Sequence, residues 1–209
     1  DLCESLDADV HDVARGIGLD GRIGRKFLHP GPGYGGSCFP KDTLALIKTA
    51  QDHDAPQHIV ETVAAVNDKR KRAMARKIIT ACGGSVRGAT VGLLGLTFKP
   101  NTDDIRDAPA LAIVTALQDA GARVKAYDPQ GVAHFKQQFP DIEYCDNAYD
   151  CATGASALAI VTEWEAFRAL DLKRIKTAMA TPVIVDLRNI YRPEEMARQG
   201  FRYVSVGRR

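Results

Sequence analysis

Cys38 stands in the segment Gly35-Gly36-Ser37-Cys38-Phe39-Pro40-Lys41-Asp42, whose residue types could support a nucleophilic thiol. The two glycines allow the backbone to approach a substrate closely. A helix is expected to begin just after the cysteine, and the positive end of its dipole favours a thiolate. Lys41 adds a cation, and Asp42 adds a carboxylate near enough to act on a water molecule. The segment therefore has what an activated nucleophile needs.

The residue types also allow a simpler interpretation, because free cysteine is among the most often buried residues and an inert Cys38 would fit the same composition. The other four cysteines have no such setting and are interpreted as packing residues: Cys3, Cys82, Cys145 and Cys151. Five cysteines without a CxxC pair or a Cys/His ligand spacing argue against a disulfide framework and a zinc site, so no metal is predicted. A reducing, cytoplasmic location is favoured.

A second group of candidates follows predicted strands, where ligands of parallel sheets usually bind. Lys99 and Arg188 form a cationic pair at two such strand ends, which would suit a phosphorylated ligand. Spacing alone leaves open whether each is simply a loop charge. The other polar residues at these ends are Asn101, Asp128, Glu163 and Asn189.

The elements that must position these residues fall into two parts. Apolar spacing predicts a helix over 2–16, which a glycine-rich irregular stretch follows. A second helix is predicted to begin at Asp42 or Thr43, either of which could cap it, and to end at about Asp52. A long helix is predicted from Pro56 to about Cys82. The basic second half of that long helix, Lys69 to Lys77, is interpreted as a solvated face. After Gly84 the sequence pattern changes, and apolar segments typical of strands alternate with segments typical of helices. Strands are predicted near 90–96, 123–127, 142–144, 157–162, 182–187 and 201–206.

This alternation predicts an α/β fold, in which a helical domain over residues 1–84 precedes a doubly wound, Rossmann-like parallel sheet domain over 85–209. The first strand–helix turn reads Val91-Gly92-Leu93-Leu94-Gly95-Leu96-Thr97 and lacks the GxGxxG pattern of dinucleotide binding.

Composition excludes several classes of protein. With 28 basic and 26 acidic residues in 209, the formal net charge is +2, so neither nucleic acid nor an anionic membrane surface is expected as a partner. No apolar run reaches the roughly 18 residues of a membrane span. An apolar content of 45% supports a packed core.

Three motifs make the chain resemble the UDP-glucose 6-dehydrogenase family. They are the run from Gly18 to Asp42 containing Gly-Gly-Ser-Cys-Phe-Pro-Lys-Asp, the run Gly95-Leu96-Thr97-Phe98-Lys99-Pro100-Asn101-Thr102-Asp103-Asp104-Ile105-Arg106, and Val185-Asp186-Leu187-Arg188-Asn189. The resemblance covers essentially the whole chain. It implies a four-electron oxidation of UDP-glucose at C6 by two NAD⁺, through a thiohemiacetal and a thioester on Cys38.

The resemblance also implies residue roles. Lys41 and Arg106 would face the cofactor, and Asp42 would help to activate water. Lys99 and Arg188 would hold the UDP-sugar together with Phe98, and Arg22 would reach the substrate of the neighbouring subunit. The uridine and sugar site would be lined by the Phe27–Gly36 stretch, which includes Phe27, Leu28, Tyr34 and Gly35.

Relative to that family, an NAD-binding domain with GxGxxG is expected to be missing, so this chain alone is predicted not to oxidise UDP-glucose. The resemblance further implies a homodimer through helix 57–83.

Other interpretations remain open at this point. GDP-mannose or UDP-N-acetylmannosamine could replace UDP-glucose, since one or two pocket side chains choose between hexoses. A nucleotide-sugar binding module without catalysis would not need Cys38, Lys41 and Asp42. A cysteine hydrolase would need a histidine base, for which His29, His53 and His58 are the nearest in sequence, and His29 is better interpreted as a loop residue beside the sugar site.

Overall fold

A computed structural model describes residues 1–208 and begins with a helical part. Its helices are α1 (Leu2–Ser5), α2 (Val10–Ile17), α3 (Phe39–Asp52) and α4 (His58–Ala81). Residues 18–38, between α2 and α3, form no helix or strand. The positive-φ glycines Gly83 and Gly84 follow the end of α4, as expected of a helix C-terminus.

The predicted single helix over 2–16 is wrong, because the chain breaks between α1 and α2. Asp7 lies in the left-handed region with φ 56°, and the Asp9 side chain then caps α2 by accepting from the His11 N–H at 2.7 Å. Asp7 adopts the turn conformation and Asp9 begins a new helix by capping it, and apolar spacing alone predicts neither.

The second part is a parallel sheet flanked by helices, as predicted. In the described part of the chain its strand order is β3-β2-β1-β4-β5-β6, and every pairing is parallel. The strands are β1 (Thr90–Leu94), β2 (Arg123–Tyr127), β3 (Glu143–Tyr144), β4 (Ala157–Ile160), β5 (Val183–Asp186) and β6 (Arg202–Ser205). The connecting helices are α5 (Pro109–Asp119), α6 (Val132–Gln138), α7 (Ala148–Ala152), α8 (Glu165–Arg168), α9 (Leu172–Ala178) and α10 (Pro193–Arg198). This order is that of the Rossmann-type doubly wound fold.

Burial explains why the strand predictions are confirmed. The four residues of β4 and the four of β5 are all buried, because helices cover both faces of the sheet. Such strands read as continuous apolar runs rather than as alternating ones.

Helix α4 joins the two parts of the chain. Its second half packs into the core of the sheet part through Met74, Ala75, Ile78 and Ala81, each at most 3% exposed. Its first half carries the exposed apolar residues Ile59, Val63 and Val66. Whether residues 1–84 and 85–209 form separate domains stays a prediction.

The solvated face predicted for the basic half of α4 is wrong for three of its residues. Lys71 is 7% exposed, and Arg70 is half-buried with its Nε donating to the Gly31 carbonyl at 2.7 Å. Lys77 donates to Glu4 at 2.7 Å and to the Ser205 carbonyl at 3.1 Å. Long cationic side chains can bury their stems along a packed surface while the charged ends find acceptors.

The carboxylate of Asp128, directly after β2, ties together the loops at the carboxyl end of the sheet. Asp128 is 3% exposed, and its Oδ2 accepts from the Leu96 N–H at 2.7 Å and from the Trp164 indole N–H at 3.0 Å. Its Oδ1 accepts from the N–H groups of Gln130 and Gly131 at 2.9 and 2.7 Å. A buried charge with this many donors fixes the loop after β1, which carries Phe98 and Lys99.

Replacing this carboxylate should weaken the fold. We expect Asp128→Asn to lower the free energy of unfolding by about 2–4 kcal/mol, because the amide NH₂ would face N–H groups that need an acceptor. Urea denaturation followed by circular dichroism measures this. The exposed Asp141→Asn, also a loss of one carboxylate, should change it by less than about 0.5 kcal/mol. Equal effects of the two substitutions would contradict the role given to Asp128.

Candidate functional site

Residues 31–38, here called the cysteine loop, run from α4 to the carboxyl end of the sheet. Tyr34 is held by Asn67 of α4, whose Oδ1 accepts from the Tyr34 N–H at 2.8 Å and whose Nδ2 donates to the Tyr34 carbonyl at 3.1 Å. The Gly36 N–H donates to the Arg106 carbonyl at 2.7 Å. The loop is thereby fixed between α4 and residues 104–108, here called the Arg106 segment.

Two glycines make this close approach possible. A Cβ on Gly35 would lie 2.4 Å from the Asp107 carbonyl oxygen, closer than any side chain can come. Gly36 has φ +88°, and a Cβ there would lie 2.9 Å from the Phe98 ring. The glycines predicted to permit close backbone contact thus pack against the protein itself.

Cys38 is exposed and occupies the N-cap position of α3. The helix begins at Phe39 with Pro40 in its first turn, so the expectation that Asp42 or Thr43 caps it is wrong. Proline lacks the N–H that a first helical turn leaves unpaired, which allows the earlier start. Thr43 instead donates its hydroxyl back to the Phe39 and Pro40 carbonyls at 2.9 Å. Cys38 therefore sits at the positive end of a 14-residue helix.

A cavity of about 590 Å³, the cysteine cavity, opens beside this thiol. The Arg106 guanidinium faces the same cavity and is fixed by two hydrogen bonds to the Asp104 carboxylate, at 2.9 and 2.8 Å. The pKa of Arg106 is raised, mainly by these bonds to the Asp104 carboxylate. The lining residues are Ser37, Cys38, Lys41, Arg106, Asp107, Leu111 and Gln138.

Lys41 and Asp42 follow the cysteine on the first turn of α3. The Lys41 ammonium lies 3.2 Å from the Asp42 carboxylate, and both side chains are mostly exposed. Lys41 lines the cysteine cavity, whereas Asp42 contributes its carboxylate to the ion pair outside that lining.

A larger cavity of about 790 Å³, the aromatic cavity, is lined by the first part of the cysteine loop, from Gly31 to Gly35. Its rings include Tyr34 and Phe39, which meet edge to face with centroids 4.6 Å apart. Phe27 is 98% exposed and holds a left-handed φ of 63° at its rim. The other aromatic and cationic residues of the lining are His29, Arg70, Phe98 and Arg188.

Arg188 is fixed from two sides. Its backbone N–H donates to the buried Asp186 carboxylate at 3.0 Å, and its guanidinium forms an ion pair with Glu163. Burial raises the pKa of Asp186 even though several donors surround it. The guanidinium also packs against Gly31, where a Cβ would lie 2.5 Å from the Arg188 Nη1. This rigid cation contributes positive charge to the aromatic cavity.

The structure thus brings most of the predicted site residues together. Cys38, Lys41 and Arg106 share the cysteine cavity. The aromatic cavity collects Phe27, Tyr34, Gly35, Phe98 and Arg188.

Four predicted residues lie apart from both linings, and Asp42, paired with Lys41, is the first of them. Lys99 is exposed, with its ammonium 5.3 Å from the centre of the Phe98 ring. Arg22 is 89% exposed and bonded to Asp20 at 2.6 Å. Leu28 is half-buried beside Phe27 in sequence.

Four residues that shape the site were not predicted from the sequence, namely Asn67, Arg70, Lys71 and Asp107. Asn67 and Lys71 share the buried face of α4 with Met74 and Ile78. The helical spacing from 67 to 78 could have shown that these polar residues point inward.

No cluster of three or more histidine, cysteine or acidic side chains within residues 1–208 is arranged to hold a metal ion. Over the same residues, no helix combines the length and the apolar character needed to cross a bilayer.

The strand order and the position of both cavities define the class of protein. Phe98 follows β1 and Arg188 follows β5, so the aromatic cavity lies at the carboxyl ends of parallel strands. Rossmann-like α/β proteins bind their ligands at this edge.

Comparison with known proteins agrees with this class. Residues 1–69 match the central domain of the UDP-glucose/GDP-mannose dehydrogenase family, and residues 92–193 match its UDP binding domain. UDP-glucose 6-dehydrogenase of Rhizobium meliloti (strain 1021) is 64% identical over 208 residues, covering 100% of this chain and 48% of the relative.

Solved structures give the same result. A UDP-glucose dehydrogenase from Pyrobaculum islandicum superposes with a TM-score of 0.84 and 32% identity, over 98% of this chain and 45% of that one. An NDP-N-acetyl-D-galactosaminuronic acid dehydrogenase from Methanosarcina mazei gives 0.87 and 30%, over 99% and 46%. The chain belongs to the UDP-glucose/GDP-mannose dehydrogenase family. It spans about half the length of the curated relatives it matches.

The close contact of Gly35 with the Arg106 segment is open to a direct test. Gly35→Ala should lower the free energy of unfolding by about 1–3 kcal/mol, because the methyl group would collide with backbone that has little room to move. Urea titration measures this. Gly21→Ala is the matched control, since no atom lies within 4 Å of the place its methyl group would take, and a change under about 0.5 kcal/mol is expected. A harmless Gly35→Ala would show that the loop does not pack as described.

Proposed function

We propose that this chain is the part of an NAD-dependent UDP-glucose 6-dehydrogenase that binds the UDP-sugar and supplies the nucleophile. The observation that carries the proposal is the exposed Cys38 at the N-terminus of α3, in a cavity shared with Arg106. Family membership and 64% identity to a UDP-glucose 6-dehydrogenase support it. The product would be UDP-glucuronate.

The aromatic cavity is the proposed site of the nucleotide sugar. Arg188 and Lys99 would bind the diphosphate, since charge-assisted hydrogen bonds to phosphate are strong and Arg188 is already held in place by Glu163. Phe98, Phe27, Tyr34, Leu28 and Gly35 would surround the uridine and the sugar. The exposed guanidinium of Arg22 would reach the substrate of a neighbouring subunit.

The proposed chemistry uses the thiolate of Cys38 as a nucleophile toward the C6 aldehyde. Sulfur–carbon bond formation and protonation of the carbonyl oxygen give a thiohemiacetal, which loses a hydride and a proton to become a thioester. Water then attacks the thioester carbon, the carbon–sulfur bond breaks, and carboxylate and thiol are released. Asp42 would help to activate that water. The covalent bond keeps the reactive aldehyde in place between the two oxidations.

NAD⁺ would accept the hydride in each oxidation. The turn after β1 does not fit a dinucleotide, because the N–H groups of Leu96 and Thr97 already donate to Asp128, and a Cβ on Gly95 would lie 2.5 Å from Thr162. The open side of the cysteine cavity fits the reactive end of the cofactor better, where Lys41 and Arg106 would contact it.

We also propose a homodimer through helix 57–83 and a cytoplasmic location. The exposed Ile59 near the start of α4 would be covered by a partner, whereas Val63 and Val66 line the aromatic cavity. The five cysteines are free thiols in the described chain, which suits a reducing compartment.

The alternatives differ in what supports them. The Methanosarcina mazei structure favours a related sugar nucleotide as the second candidate, with GDP-mannose and UDP-N-acetylmannosamine as further members of that group. A binding module without catalysis leaves the exposed Cys38 beside Arg106 unexplained. For a cysteine hydrolase, none of the described residues lining the cysteine cavity is a histidine, since His29 lies in the aromatic cavity.

Calorimetry on this chain tests the substrate. We expect UDP-glucose to bind more tightly than GDP-mannose, UDP-N-acetylmannosamine or UDP-N-acetylgalactosamine. Lys99→Ala should weaken UDP binding by about 1.5–3 kcal/mol through loss of a charge-assisted contact. The exposed Lys48→Ala, on α3, should leave the affinity unchanged. Tighter binding of another sugar nucleotide would replace UDP-glucose as the substrate, and an unaffected Lys99→Ala would remove Lys99 from the site.

The occupied turn after β1 leads to a prediction about activity. The purified 209-residue chain should show no steady NADH production with UDP-glucose and NAD⁺, because its own sheet offers no dinucleotide cradle. Absorbance at 340 nm follows NADH. Sustained turnover that is abolished by Cys38→Ala would overturn this expectation while supporting the nucleophile.

A further inference from the structure

Two polar side chains one helical turn apart on α4, Asn67 and Lys71, are buried against the cysteine loop and the Arg106 segment. We propose that they are positioning residues, which hold these two segments together so that the Cys38 thiol faces the Arg106 guanidinium. The inference rests on the proposed function for its purpose, because a cation beside the thiol favours the nucleophile. Its geometry is independent of which sugar is bound.

Lys71 holds the Arg106 segment. Its side chain is 7% exposed, and its Nζ donates to the Asp107 carbonyl at 2.9 Å. Burying an ammonium group is costly unless acceptors receive it, and burial lowers the pKa of Lys71 while Asp107 and Asp68 partly offset this. Asp107 itself has a left-handed φ of 52°, a conformation that persists where the surroundings fix it. The hydrogen bond from Lys71 to the Asp107 carbonyl is one of the contacts that fix this conformation.

Asn67 holds the cysteine loop. It is 9% exposed, and both halves of its amide bond to the backbone of Tyr34, one to the N–H and one to the carbonyl. A Cβ on the neighbouring Gly33 would lie 2.8 Å from the Asn67 Oδ1, so the loop lies directly on this side chain. Two hydrogen bonds between Asn67 and Tyr34 fix both the orientation of the Tyr34 backbone and its distance from α4.

The two contacts converge on the thiol and the guanidinium. The Gly36 N–H donates to the Arg106 carbonyl at 2.7 Å, which joins the loop held by Asn67 to the segment held by Lys71. Two residues after Gly36 the chain reaches Cys38, and Asp104 fixes the direction of the Arg106 side chain. Rigid support around the reacting groups is what precise placement requires.

The test compares how fast Cys38 reacts with iodoacetate, an anion, and with iodoacetamide, which is neutral. A nearby cation attracts the anion, so the ratio of the two rates reports the positive charge near the thiol, which Lys41 and Arg106 both supply. The fall in the ratio when Arg106 is removed or displaced gives its share. The protein is this chain, and mass spectrometry of the Cys38 peptide separates it from the other four cysteines. Arg106→Ala should lower the ratio about fivefold, the effect of one unit charge near a protein surface.

Lys71→Met and Asn67→Leu should each lower the same ratio by at least about threefold, because either substitution lets the cysteine loop and the Arg106 segment move apart and so increases the distance from the thiol to the guanidinium. Asn67→Leu changes no charge, so its effect cannot come from the lysine's own field. Lys71→Arg should restore the ratio to within about twofold, because a cavity of about 320 Å³ beside Lys71 leaves room for the longer side chain and its donors reach the same carbonyl.

Ile78→Val is the control for general loss of stability, since Ile78 is fully buried on the same helix. It should lower the denaturation midpoint and leave the ratio unchanged. The proposal is overturned if folded Asn67→Leu and Lys71→Met proteins keep the wild-type ratio, or if Arg106→Ala does. If Lys71→Met fails to fold, Asn67→Leu and the smaller, also uncharged Asn67→Ala decide, and each is expected to lower the ratio. Because the reagents need no nucleotide, a failure here is distinct from a failure to bind UDP-glucose.

Discussion

The contact between the cysteine loop and the Arg106 segment is the constraint on which the rest of the site depends. Both segments are irregular, so no ladder of hydrogen bonds fixes one against the other. They meet through the Gly36–Arg106 backbone bond and through the bare Cα of Gly35 beside Asp107. This one contact joins the loop that lines the aromatic cavity to the segment that lines the cysteine cavity, and it places a thiol and a guanidinium in the second.

Helix α4 gives that contact its rigidity, because it belongs to both parts of the chain. Its second half is anchored in the apolar core of the sheet part. Its middle turn directs Asn67 and Lys71 toward the irregular segments, where they meet backbone acceptors and donors. At the carboxyl end of the sheet, the buried Asp128 fixes the loop after β1 that carries Phe98. The walls of the site are thus held by hydrogen bonds of the buried side chains of Asn67, Lys71 and Asp128.

Much of this could be predicted from the sequence, and the failures have physical causes. The buried strands were evident as apolar runs, and the setting of Cys38 was evident as a short motif. Lys71 was misjudged as solvated because a charge on a basic helix is usually exposed, and only its position on the face of Ile78 and Met74 indicates otherwise. The break at Asp7 and the early start of α3 depend on side-chain and proline contacts within a few residues, which periodicity does not detect.

By itself the sequence determined the order of the elements, the parallel sheet and the cysteine at a helix start, because propensity, hydrophobic pattern and local motifs act over short distances along the chain. The tertiary structure decided which loops meet. It showed that Arg106, from a distant part of the chain, lines the cavity of Cys38 together with the adjacent Lys41. It also showed that Asp128 fixes loops of the sheet part and that a lysine and an asparagine of α4 face inward. These facts depend on contacts between residues far apart in the chain, from 31 residues for Thr97 and Asp128 to 106 − 36 = 70 residues for Gly36 and Arg106, where only packing sets the distance.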